Sequence, residues 1–313
     1  MASLKDVGER ALTERIIRDI RCNAHVGPGD DAACLDVNGI KIVVSSDIVT
    51  FDRHMLKGMT MEQFGWMAAA VNFSDIASMG ARPIGILAAV SLPAETDEDD
   101  LYSIMKGMEE CAGECGTEVI GGDTKPGNGS ICGTALGVCD HKVLTRSGAR
   151  PGDLVAVTGT LGSASAGWYA ALNGIYDETF YAAVKPVPRI KEGMFLSSGG
   201  IATSCMDISD GLSSAAHAIC GSSNVGIDIT AESLPVGKGV ENIAKKLKLS
   251  AADLILHGGG DYGLMFTFGK EHIDTISDMD MSVIGTVTKK KGVNLITEGI
   301  SERMENKGYE HFT

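Results

Sequence analysis

Apolar and polar positions along this chain follow two periods, and the switches between them predict its elements. Over residues 7–21, Leu12, Ile16, Ile17 and Ile20 recur at helical spacing with charges on the other face. Residues 33–37 and the β-branched run 40–44 read as strands, the second ending at Ser45-Ser46-Asp47. Residues 60–79 read as a long helix. Thr60 with Gln63 gives a capping-box start, Phe64, Ala68 and Val71 help form an apolar face, and Gly80 and Pro83 supply the stop. A strand over 84–92 follows, then a helix over 97–115 whose acidic first turn suits the helix dipole. Val119-Ile120 leads into Gly121-Gly122-Asp123-Thr124, and 131–139 reads as a further strand.

Turn formers crowd Arg146-Ser147-Gly148-Ala149-Arg150-Pro151-Gly152-Asp153, which places the expected boundary between an N-terminal domain, 1–145, and a C-terminal domain, 146–313. Beyond it the pattern predicts strands at 154–158, 203–208, 225–229, 263–268 and 283–287, and helices at 163–173, 211–222 and 239–248. Strands and helices mix throughout, so the fold class is α/β with mixed sheets, and 313 residues suit two such domains.

Five aspartate motifs, each set against glycine or serine, cut across these elements. They are Gly29-Asp30-Asp31-Ala32-Ala33, Ser45-Ser46-Asp47, Asn72-Phe73-Ser74-Asp75, Gly121-Gly122-Asp123-Thr124 and Asp207-Ile208-Ser209-Asp210-Gly211. Carboxylates drawn together repel and lose hydration, so a shared site needs cations between them. Hard oxygen ligands of this kind suit Mg²⁺ held together with substrate phosphates. Singly, each motif has a structural alternative: an Asx-turn at Asp30-Asp31, a cap at Asp47, an N-cap at Asp207 or Asp210, a plain turn at Gly121-Gly122. Asn72 and Asp75 are spaced to share one face of a helix that is otherwise apolar, where a carboxylate is expensive unless paired or metal-bound. Ser209 at a strand-to-helix junction aims a hydroxyl and amides at an anion. Gly258-Gly259-Gly260-Asp261-Tyr262 points to close backbone approach, while His54 and Arg146 taken alone read as structural or surface groups.

Composition narrows the function class. The formal net charge is −14, which disfavours a nucleic acid or an anionic membrane as partner but leaves a phosphate substrate open if Mg²⁺ screens the site. The cysteines (Cys22, Cys34, Cys111, Cys115, Cys132, Cys139, Cys205 and Cys220) form no CxxC pair, so reduced thiols in a cytoplasmic protein are expected rather than disulfides or structural zinc. No apolar run approaches membrane-spanning length, and the N-terminus lacks a signal core. A P-loop, GxSxG and HExxH are all absent. The GxGxxA-like Gly27-Pro28-Gly29-Asp30-Asp31-Ala32 carries a proline and precedes a strand rather than a helix, which argues against a dinucleotide site.

These residues together resemble the thiamine-monophosphate kinases, in the superfamily that includes aminoimidazole ribonucleotide synthase, selenophosphate synthetase and the hydrogenase-maturation carbamoyl-dehydrating enzyme. The resemblance runs almost end to end. It rests on Gly8-Glu9-Arg10, the five aspartate motifs, the long segment Ala70 to Ala81, the Arg146 to Asp153 segment and the closing Gly308-Tyr309-Glu310-His311-Phe312. It implies ATP-dependent phosphorylation of thiamine monophosphate to thiamine diphosphate with several Mg²⁺ ions, by direct in-line transfer without an indispensable general base. It also implies a homodimer formed through the N-terminal sheets. Carried over by residue, Asp30, Ser45, Ser46, Asp47, Asp75, Asp123, Asp207 and Asp210 would hold metal. Met105, Gly122, Asp123, Arg146 and Ser209 would meet the nucleotide, and His54, Gly260 and Tyr309 the thiamine phosphate. Two departures stand out. The family's Gly-Gly-Glu-Asp-Tyr-Glu-Leu is Gly258-Gly259-Gly260-Asp261-Tyr262-Gly263-Leu264 here, and Met105 takes the place of a nucleotide-side aromatic. Rival readings are a relative that uses ATP to activate another substrate for dehydration or ring closure, and a non-catalytic protein that binds ATP and metal.

Overall fold

The computed structural model describes residues 3–277 and 279–312. Its first half contains α1 (Leu4–Val7), α2 (Glu9–Asp19), β1 (Ala33–Val37), β2 (Ile40–Thr50), α3 (Phe51–His54), α4 (Met61–Ser78), β3 (Arg82–Leu92), α5 (Glu98–Glu114), β4 (Val119–Pro126) and β5 (Ser130–Cys139). The strands form one sheet in the order β1-β2-β5-β3-β4, antiparallel except for the β3–β4 pair. The second half runs β6 (Leu154–Thr158), α6 (Ser163–Leu172), α7 (Glu178–Val184), α8 (Ile190–Ser198), β7 (Ala202–Asp207), α9 (Leu212–Ser223), β8 (Gly226–Thr230), α10 (Val240–Leu247), α11 (Ala251–Leu256), β9 (Leu264–Phe268), α12 (Ile273–Ile276), β10 (Met281–Thr288), β11 (Gly292–Thr297) and β12 (Ile300–Arg303). Its seven strands form a second mixed sheet, ordered β12-β11-β8-β10-β6-β9-β7.

Helix α4 is the axis of the molecule. Thr60 and Gln63 close the capping box that the sequence predicts, and almost every residue from Phe64 to Ser78 is buried. An amphipathic helix would leave one side wet. This one is covered by β2 and β5, by α5, and by α8 and β7 of the second half. The α4–α5 crossing is closer than side chains permit. A Cβ on Gly107 would lie 1.8 Å from the Glu62 carbonyl oxygen, and one on Gly65 would lie 1.9 Å from that of Ile104. One apolar core therefore runs from the first sheet through α4 to Ala202, Cys205, Leu264, Phe266 and Phe268, while a second fills the far side of the second sheet.

Three differences from the sequence reading matter for the site. First, β2 does not end at residue 44 but continues to Thr50, because it pairs with β5 along its length from Lys41↔Cys139 to Thr50↔Ser130. Ser45-Ser46-Asp47 therefore lies within a strand, not beyond its end. Second, Gly121-Gly122-Asp123-Thr124 is part of β4 and not a loop, since the parallel ladder to β3 carries through it. Third, α7, α8, α11, β11 and β12 are additional elements. All five are short, and neighbours rather than periodicity hold them.

The face of the first sheet that looks away from α4 is apolar. Leu35, Val37, Ile40, Ile48, Ile84, Leu87 and Ile120 are all exposed, and the β1–β2–β5–β3 registers set most of them on that one face.

Candidate active site

The site forms where α4 lies between the two sheets. Asp75 occupies the one position in the second half of α4 that is not fully buried, and its carboxylate accepts a hydrogen bond from the Ser45 hydroxyl on β2. One turn earlier, the Asn72 side-chain oxygen accepts from the Asp47 backbone N–H at 2.9 Å, and its amide donates to the Ala68 carbonyl at 2.9 Å. Asn72 thus fixes the middle of β2 against the helix. Asp207 ends β7, almost wholly buried, and accepts from Ser74 Oγ of α4 at 2.7 Å and from Ser209 Oγ at 3.2 Å. Asp31 completes the group. Its carboxylate accepts from Arg146 Nε at 2.8 Å and from the Asp207 backbone N–H at 3.3 Å. Oxygen atoms of Asp31, Asp75 and Asp207 all lie within 4.8 Å of one another.

Charge repulsion is visible in the carboxyl groups. Asp75 is pushed well above the carboxylate range by burial and then by Asp207, Asp47 and Asp31. Burial first and Asp31 second raise Asp207 to about 8 and Asp30 to about 6. Asp47 rises for the same two reasons. Burial and the neighbouring Glu9 carry Asp210 to about 6. Arg146 is the cation built into this wall, and it is committed. Its guanidinium grips Asp31, and its backbone N–H donates to both Asp30 oxygens at 3.2 Å. One guanidinium against this many carboxylates leaves an excess of negative charge in a largely dry cleft, which is the setting for hard cations.

Beside the carboxylates the chain's two ends meet. The Arg10 guanidinium donates to the carbonyls of Gly308 and Tyr309 at 3.2 and 3.1 Å, and its backbone N–H donates to Glu310 Oε1 at 3.2 Å. Glu9 accepts from the His311 backbone N–H at 2.9 Å, and the Tyr309 N–H donates to the Asp210 carbonyl at 3.1 Å. The strap over residues 308–312 therefore lies against the site, with the His311 ring 6.5 Å from that of His54 and 4.9 Å from that of Tyr309. A cavity of about 380 Å³ opens there, lined by Arg10, Arg53, Tyr309 and Phe312 among others.

Of the residues expected at the site, Asp30, Ser45, Asp47, Asp75, Asp207 and Ser209 gather around the cleft, with Asp210, His54 and Tyr309 along its edge. Ser46 does not turn its hydroxyl inward. Alternation along β2 puts it on the opposite face from Ser45 and Asp47, where it lies 3.0 Å from both the Thr134 hydroxyl and the Gly133 carbonyl. Asp123 is set beside Ala89 by the β3–β4 register, also away from α4, and its carboxylate is exposed with Lys125 at 3.4 Å. Gly122 shares that edge strand, and Met105 is partly buried against the N-terminal core. Arg146 holds Asp31 through Nε and Nη2. Gly260 donates its N–H to the Ser209 carbonyl at 2.7 Å and adopts φ +91°, while a Cβ at Gly263 would lie 2.7 Å from the Thr158 carbonyl oxygen. The loop is thus fitted around glycine at both places where the resemblance implies glutamate. Asp261 turns from the cleft and accepts the N–H groups of Gly162 and Ala164 at 2.6 and 3.0 Å, holding the start of α6. Asp31 is the residue that sequence reasoning passed over. The signal was its adjacency to Asp30; both carboxylates reach Arg146, and only the turn's geometry brings Asp31 up to Asp75 and Asp207.

The chain matches two family models, "AIR synthase related protein, N-terminal domain" over residues 29–139 and "AIR synthase related protein, C-terminal domain" over residues 150–298. It is 37% identical over 274 residues to the thiamine-monophosphate kinase of Methanopyrus kandleri, covering 87% of this chain and 86% of that one. It is 34% identical to the thiamine-monophosphate kinase of Archaeoglobus fulgidus over 99% of both chains. Among solved structures, "AaThiL complexed with AMPPCP and TMP" superposes with a TM-score of 0.90 at 29% identity, covering 99% of each chain. The chain therefore belongs to the AIR synthase related family, a class of two-domain α/β proteins. Within that class it is a member of the thiamine-monophosphate kinase family.

Proposed function

We propose that the protein transfers the γ-phosphoryl group of ATP to thiamine monophosphate, giving ADP and thiamine diphosphate. The observation that carries this reading is the convergence of Asp31, Asp75 and Asp207 from a turn, a helix and a strand end onto one small volume, with Asp47 alongside. A similar structure whose description names both AMPPCP and TMP as bound ligands supports the choice of substrates.

Mg²⁺ fits the residues present. They offer carboxylate and hydroxyl oxygens, which hard cations prefer, and their raised proton affinities mark charge that Arg146 offsets only in part. Asp31, Asp75 and Asp207 would hold it, with Asp30, Asp47, Asp210 and Ser45 within the same wall, and Asp123 on the outer sheet face as a further candidate. When bound, Mg²⁺ supplies charge neutralisation for phosphoryl transfer. The chain supplies position. Asn72 and Ser74 hold β2 and β7 to the same helix, so that oxygens from both halves keep a common geometry. Thr50 donates its backbone N–H to His54 Nδ1 at 3.0 Å, which leaves Nε2 of the neutral ring as a donor toward an anionic substrate. Tyr309, exposed beside the cavity, offers a ring face to a heteroaromatic group. The acceptor phosphate is already an anion, so no side chain is required as a general base.

The same reading includes a homodimer. The apolar outer face of the first sheet has the character of a covered interface, and it carries the Ser46 hydroxyl and Asp123 as well, so a second copy there would enclose them. Among the described residues no helix is long and apolar enough to cross a membrane, and every cysteine is a free thiol, which supports a cytoplasmic setting.

The test is ADP release with thiamine monophosphate present and absent, together with mass detection of thiamine diphosphate. Diphosphate formed one-for-one with ADP supports the kinase. ADP without diphosphate would point to a relative that activates another substrate, and nucleotide binding without turnover to a non-catalytic protein.

A further inference from the structure

The cleft described above is walled by carboxylates, yet a phosphate acceptor must come to rest in it. Mg²⁺ answers for the triphosphate side, and the acceptor side needs N–H donors of its own. Arg146 already holds Asp31 through Nε and Nη2, and Arg10 holds the strap carbonyls through Nη2, so both guanidiniums have structural duties here. Arg53 lines the cavity as an exposed cation 4.0 Å from Asp52, and two imidazoles stand at the edge of the cleft.

We propose that His311 is a further substrate-binding residue, which pairs with His54 so that the two rings present N–H groups to the phosphate of the acceptor. This rests on the kinase reading and goes beyond it, because of the two imidazoles only His54 was assigned to the substrate. Three observations carry it. The rings stand 6.5 Å apart and tilted by 51°, a spacing that one phosphate group accepting from both would bridge. Both rings have a fixed side. His54 Nδ1 accepts from the Thr50 N–H, and the Tyr309 hydroxyl lies 3.4 Å from His311 Nδ1, so Nε2 carries the proton on each ring when that hydroxyl donates. His311 is also not on a loose end. Its backbone N–H is held by Glu9, and the preceding residues are held by Arg10 and by the Asp210 carbonyl. The ring lies within electrostatic reach of both Asp47 and Asp210, at the mouth of the carboxylate cluster.

Tyr309 and His311 then divide the work of one strap, an aromatic face for the ring system and a donor for its phosphate.

The experiment compares wild type with His311→Ala and His311→Gln in the full chain. It measures kcat, the KM for each substrate, thiamine monophosphate binding by calorimetry without ATP, and the thermal midpoint. The expected result for His311→Ala is a weakening of thiamine monophosphate by about ten- to a hundredfold, the loss of one hydrogen bond to a charged group. The KM for ATP and the thermal midpoint stay unchanged. His311→Gln, which can place an amide N–H near the Nε2 position, recovers part of the loss. Equal affinity for thiamine monophosphate in wild type and His311→Ala overturns the proposal while leaving the kinase reading intact. So does a loss shared equally by ATP, or one that follows the thermal midpoint. A wild-type protein that neither binds nor phosphorylates thiamine monophosphate overturns both.

Discussion

Ser74 on α4 donates its hydroxyl to Asp207 at the end of β7 across 2.7 Å, with both residues buried. The two halves of the chain meet at the active site through that bond. It also ties the helix that carries Asp75 to the strand that carries Asp207, so this hydroxyl helps set the relative position of two carboxylates from distant segments. Ser74→Ala leaves one oxygen of a buried carboxylate with an unmet need. The expected cost is about 1–3 kcal/mol in denaturant unfolding. Because the Ser74 bond lowers the Asp207 proton affinity, its loss should also weaken Mg²⁺ at neutral pH, read as a higher Mg²⁺ requirement for turnover.

Asp75→Asn removes the charge that three neighbouring carboxylates oppose. The ion-free protein should become more stable, with a higher thermal midpoint in EDTA. Activity should fall by about a hundredfold or more, the scale seen when a group that stabilises developing charge is removed. A variant that keeps wild-type turnover at limiting Mg²⁺ would remove Asp75 from the metal site.

Asp207 at about 8, and Asp30 and Asp210 at about 6, hold protons in the folded chain that the unfolded chain has already released. Their contribution to stability is fully present below the ordinary aspartate value and is lost as pH rises, first through about 6 and then through about 8. The ion-free protein should therefore lose thermal stability from about pH 4 to about pH 8. Saturating Mg²⁺ should flatten that slope, with a larger gain in midpoint at the alkaline end and protons released on binding, measurable by scanning calorimetry and by the buffer dependence of titration heats.

Arg146→Ala leaves Asp31 as an unpaired charge in the wall. Breaking such a pair costs about 3–5 kcal/mol. In ion-free protein the loss should appear in full, and Mg²⁺ should restore part of it by replacing the guanidinium as counter-charge. A variant with unchanged stability but a raised KM for ATP would instead return Arg146 to the nucleotide.

Ile48→Asp and Leu87→Asp each place a charge on the exposed apolar face of the first sheet while leaving its buried face untouched. Both variants should elute as monomers where the wild type elutes as a dimer, in size-exclusion chromatography with light scattering. Wild type eluting as a monomer would end the dimer reading.

The long elements were legible in the chain because their signals are local. The α4 capping box, the acidic start of α5 and the alternation of β5 are each written within one segment, and the structure places them within a residue or two of expectation. The short helices α7, α8 and α11 were not legible, since too few residues build a period and their burial depends on neighbours from elsewhere. The end of β2 was misread for the same reason. Ser-Ser-Asp looks like a strand terminus in isolation, but β5 continues the ladder past it.

The sequence by itself determined which chemistry the site holds, since carboxylates, hydroxyls and glycines carry their ligand preferences wherever they lie. It determined the family too, because the long motifs survive nearly end to end. Only the tertiary structure decided which aspartates converge. Asp31 joined Asp75 and Asp207, while Ser46 and Asp123 turned to the other sheet face, and Arg146 closed on Asp31. The physical reason is that a strand alternates its side chains and a turn selects one of two neighbours. A shift of one residue therefore moves a carboxylate from one face to the other, and the packing of β2, α4 and β7 fixes that choice.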